Sequence, residues 1–445
     1  MRSQENSGTL LEMPVGKPLS SLSNEELRQV HARASQRHQS YVKAGRRLDM
    51  TRGKPSAEQL ALSQPMLALP GENDWRSEDG LDCRNYGGPL TGLAEARRLL
   101  APLAQVAPDQ VLVGGNASLA VMHDCLAFAL LHGVPGGDAP WSRQEDVAFL
   151  CPSPGYDRHF GLCEGLGVRM IPVALTGQGP DMDQVERLVA SDPAIKGMWC
   201  VPKYSNPTGE TYSAETVERL AAMPTAAADF RLFWDNAYGV HDLTETSAAL
   251  PSILERAAAH GRADRPFVFA STSKMTFAGA GLALFAGSAV NLRWLTLCLA
   301  RRTIGPDKLN QLRHVRWLRD FDGLLALMAR HRQLLAPKFA LVREILARDL
   351  DGLGIATWTD PKGGYFISLD VMDGCAQRTV AIAAEAGLTL VPAGQTFPYG
   401  QDPNDRNIRL APSFPGLEDL RVITECVANS TILAATDALL RQRGL

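Results

Sequence analysis

The sequence predicts an α/β fold: a mostly parallel, seven-stranded sheet sandwiched by helices, with a smaller α+β unit at the C-terminal end. Three observations carry this. From Gln110 to Ala286, short and wholly apolar runs alternate with helical stretches and turns, the pattern of strands joined by helical crossovers. Those runs lack the in-and-out alternation of a half-buried strand, so both faces of the sheet are expected to be covered. Further along, the pattern turns to short strands mixed with helices, which marks a different kind of unit.

The apolar runs are residues 111–113, 147–151, 168–173, 198–201, 232–234, 267–270 and 282–286. Helical spacing lies between most of them, at 118–131, 156–165, 182–190 and 214–222. Upstream, residues 1–20 are polar with prolines at 14 and 18 and read as a loose arm. Ser23-Asn24-Glu25-Glu26 is a capping box that opens a helix, and Gly45 stops it. Residues 48–55 are a short extended piece ending in a turn. The segment 71–92, centred on Tyr86-Gly87-Gly88-Pro89, is too rich in glycine and polar residues for a regular element, and 93–106 returns to helical spacing. Residues 306–350 are helical, with Pro337 expected to divide a long connecting helix from its successor. Beyond lie strands at 355–358, 365–369, 388–391 and 408–411, a helix at 379–386 and a terminal helix from Leu417. The expected organisation is an arm and helix packing with the small domain (1–55), a large domain carrying the sheet (56–330) and a small domain (331–445).

Composition excludes several classes of function. With 45% hydrophobic residues, 21% charged and a net charge of −3, the chain has no basic excess for nucleic acid and no long charged tail. Its eight cysteines are scattered, mostly in apolar surroundings, with no Cys-x-x-Cys pair. They read as core residues of a reducing compartment, neither disulfides nor metal ligands. No run is long enough to span a bilayer and residues 1–13 have no cleavage pattern, so a cytoplasmic location is expected.

Four stretches carry chemistry. Phe267-Val268-Phe269-Ala270 is an apolar strand that delivers Ser271-Thr272-Ser273-Lys274 to its carboxyl end, where open α/β sheets bind ligands. A lysine desolvated there has a lowered pKa, and its free amine can condense with a carbonyl. Alone, Ser-x-Ser-Lys would read as a surface lysine after an edge strand. Val111-Leu112-Val113-Gly114-Gly115-Asn116-Ala117-Ser118 runs from strand through glycines into a helix, a junction that suits a phosphate, although taken alone it is better explained by Asn116 or Ser118 serving as a helix cap. Asn206-Pro207-Thr208-Gly209 follows a strand. It reads as a turn that also offers Asn206 to the crevice. In Leu232-Phe233-Trp234-Asp235-Asn236-Ala237-Tyr238, an aspartate after three apolar residues is costly to bury unless it meets a cation or donors, and a protonated pyridine nitrogen is such a partner.

An amine, a phosphate cradle, a carboxylate for a ring nitrogen and hydroxyls for a ring oxygen are what pyridoxal phosphate requires. From about residue 47 to Ser413 the chain resembles the fold-type I pyridoxal-phosphate aminotransferases, with Asn206-Pro207-Thr208-Gly209, Asp235-Asn236-Ala237-Tyr238, Ser271-Thr272-Ser273-Lys274 and Arg409 in that family's order. Thr51-Arg52-Gly53-Lys54-Pro55, Asn85-Tyr86-Gly87-Gly88, Met275-Thr276-Phe277-Ala278-Gly279 and Ile304-Gly305-Pro306-Asp307-Lys308 are similar to a bacterial aspartate aminotransferase or MocR-type branch. The resemblance implies Lys274 as the Schiff-base and proton-moving lysine and Asp235 as partner of the ring nitrogen. It implies Asn206 and Tyr238 on the ring oxygen, and Gly115, Asn116, Ala117, Ser271 and Ser273 around the phosphate. Tyr86 is expected to reach the phosphate of a neighbouring subunit in a homodimer, and Arg409, helped by the Gly53 backbone, to grip the substrate α-carboxylate.

Two departures stand out. The family's phosphate-binding arginine, eight residues after the lysine, is here Leu282. The ring stacked on the cofactor falls to Tyr156 or His159, with Tyr156 preferred. Aspartate and 2-oxoglutarate are the expected substrates, and Arg52, Arg301, Arg302, Lys308 and Arg313 are available for a second carboxylate. The alternatives are a β-lyase or decarboxylase on the same scaffold and a pyridoxal-sensing regulator. For the regulator, the residues before Leu48 are too few and insufficiently basic to form a DNA-binding domain.

Overall fold

The computed structural model describes residues 17–445, so most of the arm expected over 1–20 lies outside the described residues. Helix α1 (Asn24–Ala44) begins at the expected capping box. The Glu26 N–H donates to Ser23 Oγ at 3.2 Å, the Ser23 N–H donates to the Glu26 carboxylate at 2.7 Å, and Gly45 closes the helix in the left-handed region at φ 62°. Strand β1 (Leu48–Asp49) and helices α2 (Ala57–Leu62) and α3 (Ala94–Leu100) lead to the central sheet.

The sheet is built from β2 (Val111–Val113), β3 (Ala148–Ser153), β4 (Arg169–Ala174), β5 (Ile195–Cys200), β6 (Arg231–Asp235), β7 (Pro266–Ser271) and β8 (Ala283–Ala286). Between them run α4 (Ser118–His132), α5 (Asp157–Gly165), α6 (Met182–Ser191), α7 (Ala214–Ala222) and α8 (Ile253–Ala259). The strand order is β2-β8-β7-β6-β5-β3-β4. The run from β7 to β4 is parallel, and β8 is antiparallel to both its neighbours. Alternate residues of the continuously apolar strands serve two cores. Leu150, Met198, Leu232, Trp234, Val268 and Ala270 face one, while Phe149, Trp199, Phe233, Phe267, Phe269 and Phe285 face the other. This is why the strands read without alternation.

After α9 (Ala289–Arg302) and α10 (Lys308–Leu318) comes α11 (Phe321–Leu350), which runs unbroken through Pro337. The expected division at that proline does not occur. An interior proline costs about 3 kcal/mol, and burying Leu335, Phe339 and Val342 on either side of it offsets that cost at about 1.5–3 kcal/mol each. The start of α11 packs in the first core through Leu324, Leu327 and Met328, and the rest packs in a further core with α1. That core also takes in β9 (Ala356–Trp358), β10 (Ile367–Val371), α12 (Ala376–Glu385), β11 (Leu388–Thr389), β12 (Asn407–Leu410) and α13 (Leu417–Gln442). β10 is antiparallel to β9 and β12, and β1 joins β11 in parallel.

Among the described residues, no helix is long and apolar enough to cross a membrane and no group of three or more His, Cys, Asp or Glu is placed to hold a metal. All eight cysteines are free and buried.

Candidate active site

The carboxyl ends of β3, β5, β6 and β7 converge on one edge of the sheet, and each carries a singled-out residue there. Lys274 sits in the turn after β7, and that turn is held from several sides. A Cβ on Gly281 would lie 2.8 Å from Ser273 Oγ and 2.9 Å from its Cα, so only glycine packs there. Leu282 N–H donates to Thr272 Oγ1 at 2.8 Å. His314 donates from Nδ1 to the Asn310 carbonyl at 2.8 Å, which leaves Nε2 to accept from Thr272 and Thr276, each at 3.0 Å. Tyr365 Oη donates to the Lys274 carbonyl at 3.0 Å and accepts from Gln59 Nε2 at 2.9 Å. The Lys274 Nζ lies 5.0 Å from the centroid of the Tyr238 ring. Desolvation pulls its pKa below the usual lysine range, opposed by the charge of Asp235.

Asp235, at the end of β6, is 3% exposed. Its Oδ2 accepts from His159 Nε2 at 3.1 Å, and the imidazole is stacked on Trp199 with centroids 4.3 Å apart and planes 10° apart. The other oxygen, Oδ1, is buried with no hydrogen-bond partner among the described residues. A buried carboxylate oxygen without a donor is costly, and a protonated pyridine nitrogen meets that need. The residues present therefore fit a pyridine-type cofactor.

A cavity of about 780 Å³ brings together Gly53, Tyr156, Asn206, Tyr238, Lys274 and Arg409. Arg409, on β12, donates from Nη1 to Asp157 Oδ1 at 2.8 Å and to Asn206 Oδ1 at 3.4 Å, and its guanidinium lies 5.1 Å from the centroid of the Phe366 ring. Gly53 is required beside that ring, because a Cβ there would be 2.5 Å from Phe366 Cζ. Tyr156 stands edge-on to His159, and burial, with Asp235 next, pushes its hydroxyl up to about 12. Burial pushes Tyr238 well above the usual phenol range as well, so both remain protonated donors at neutral pH.

The remaining expected residues do not line this cavity. Gly115 and Asn116 line another cavity, of about 400 Å³, and Ala117 is the N-cap of α4. Ser273 Oγ donates to the Asn116 carbonyl at 2.8 Å, which ties this loop to the Lys274 turn, and Ser271 ends β7. Leu282 is 2% exposed and belongs to the apolar core. Tyr86 is 79% exposed and is not among the residues lining the Lys274 cavity. Of the cations considered for a second carboxylate, only Arg52 lines that cavity. Arg302 is 3.1 Å from Asp124, Arg313 donates to the Leu69 carbonyl, Lys308 donates to the Gly87 carbonyl and Arg301 is exposed. His159, considered as a stacking ring, is instead engaged with Asp235 and Trp199. Sequence reasoning missed Asp157 and Arg158, which also line the cavity. Their place at the helix start after β3 was the available signal.

A family model described as aspartate amino-transferase matches residues 22–443. The chain belongs to that family. This aminotransferase is 54% identical over 396 residues to a putative aminotransferase of Mycolicibacterium smegmatis, covering 88% of this chain and 92% of the relative. It is 48% identical over 391 residues to an aspartate aminotransferase of Corynebacterium glutamicum, covering 88% and 90%. The crystal structure of an aspartate transaminase from Corynebacterium glutamicum superposes with a TM-score of 0.93 at 45% identity, covering 95% of this chain and 100% of that one. The protein is accordingly a transaminase with the fold-type I architecture.

Proposed function

We propose that this aminotransferase uses pyridoxal 5′-phosphate to move an amino group from an L-amino acid, aspartate by preference, to 2-oxoglutarate in a ping-pong sequence through Lys274. One observation carries this reading: a desolvated lysine and a buried aspartate with a free carboxylate oxygen stand at the ends of adjacent strands. The preference for aspartate draws on the Corynebacterium relative and on Arg52, Lys54 and Arg158 in the cavity wall.

Bound pyridoxal phosphate supplies a carbonyl and an electron-withdrawing ring that makes the substrate Cα–H acidic. The chain supplies the rest. Lys274 presents an amine whose lowered pKa keeps more of it neutral, fit to attack a carbonyl and to carry the Cα proton. Asp235, oriented by His159, would accept from the ring nitrogen, and Asn206 and Tyr238 would donate to the ring oxygen. Gly115, Asn116, Ala117, Ser271 and Ser273 would surround the phosphate, with the α4 N-terminus standing in for the arginine replaced by Leu282. Tyr156 would cover the ring face, and Arg409 with the Gly53 backbone would receive the α-carboxylate. Tyr86, exposed on one subunit, serves the phosphate of the next in a homodimer. The free, buried cysteines support a reducing, cytoplasmic setting. The change of core along α11 supports a division near residue 330 between the cofactor-binding and small domains.

The test is a purified protein that carries a yellow cofactor band, bleached by aspartate and restored by 2-oxoglutarate. Consumption of aspartate with no lasting bleach and no need for an oxo acid would indicate a lyase or decarboxylase. Lys274→Ala is expected to abolish turnover, and normal turnover in that variant would remove Lys274 from the mechanism.

A further inference from the structure

We infer that Asp157 is a specificity-determining countercharge: it occupies Arg409 in the resting enzyme, and the α-carboxylate of every substrate must displace it. The inference rests on the reading of Arg409 as the carboxylate receptor. The Arg409 side chain is only 6% exposed, and a guanidinium so far from water needs an anion beside it. Asp157 provides that anion at 2.8 Å. Asn206 is a longer, neutral contact, and Arg409 Nε is buried without a hydrogen-bond partner among the described residues. The receptor thus rests with one carboxylate bound and further donor capacity unused.

Asp157 is also placed to leave. It is the first residue of α5, after the N-cap Tyr156, where the positive helix end favours a carboxylate. Its side chain is 23% exposed, so water reaches it. Its Oδ2 lies 4.0 Å from Nε of Arg158, which is itself exposed on the wall of the same cavity. When a substrate carboxylate takes Arg409, Asp157 remains beside Arg158, and neither charge is stranded. The exchange is of one carboxylate for another. An amine without a carboxylate has nothing with which to displace Asp157, and carboxylate substrates bind more weakly by the strength of the pair they break.

Asp157→Asn removes the charge at nearly constant size. In the holoenzyme, calorimetric titration with succinate is expected to show binding about tenfold tighter, which corresponds to about 1.4 kcal/mol. KM is expected to fall by a similar factor for both aspartate and alanine, which share the α-carboxylate, while kcat changes by less than about twofold. Unchanged or weaker succinate binding in a variant with wild-type circular dichroism would overturn the inference, since Asp157 would then only brace Arg409. A gain confined to aspartate would also overturn it, because the charge would then be repelling the substrate side chain. Arg409→Ala, titrated in parallel, separates the two layers of the argument. If it leaves succinate binding intact, the reading of Arg409 fails. If it abolishes binding while Asp157→Asn gives no tightening, only the role given to Asp157 fails.

Discussion

His159 shows how one side chain can matter without reaching a substrate. It is 1% exposed, stacked on Trp199 and bonded to Asp235, so it orients a carboxylate whose other oxygen is left open. His159→Phe keeps the stacking and removes the bond. A hydrogen bond to a charged group contributes about 1.5–3 kcal/mol, so kcat is expected to fall by at least about tenfold with KM nearly unchanged, and His159→Gln, which can still donate, is expected to recover part of the loss. Steady-state kinetics on the three proteins checks this. At this level the sequence was legible only in part. Asp235 ends a strand and Lys274 and Asn206 follow one, and that position marks them. The bond from His159 to Asp235 spans 76 residues and that from Arg409 to Asp157 spans 252, and no local pattern announces either.

Elements were easier to read than the bonds between them. The strands of the central sheet are apolar on both sides because two cores claim alternate residues, and that leaves an uninterrupted signature in the chain. The reversed direction of β8 has no such signature, since apolar runs look alike in either sense. Pro337 misled for a related reason. Local propensity argues for a break, and tertiary packing of Leu335, Phe339 and Val342 keeps the helix whole. Pro337→Ala is therefore expected to raise stability, by about 1–3 kcal/mol, read as a higher urea midpoint with unchanged slope. A lower midpoint would mean that the proline ring itself supports the packing.

For the molecule as a whole, buried ionisable groups determine the response to acid. Burial pushes His314 and His331 down to about 4 and His241 well below its usual value. Unfolded histidines take up protons near pH 6.5, so each of these groups favours folding above that pH and loses its contribution as the pH falls toward 4. Glu210 acts in the opposite sense. Burial raises it to about 7, so between about 4.5 and 7 it favours folding more as the pH falls. Burial raises Asp124 and Asp405 as well, in the same sense as Glu210 but from a lower starting value, so the three histidines dominate between pH 6.5 and 5, and each proton is worth about 1.4 kcal/mol per pH unit. Thermal midpoints measured at pH 8, 6.5 and 5 are expected to be flat over the upper interval and to drop sharply over the lower one, with His314→Asn reducing the drop.

Helix α11 gives the assembly a mechanical property. Its 30 residues form a rod about 45 Å long, with one end seated beneath the sheet that presents the amine and the other beneath the strands that present the guanidinium. A stiff lever of that length turns a tilt of one degree at its root into a displacement of about 0.8 Å at its tip. The core under the Lys274 strand and the core under the Arg409 strand are thus joined by one continuous shaft.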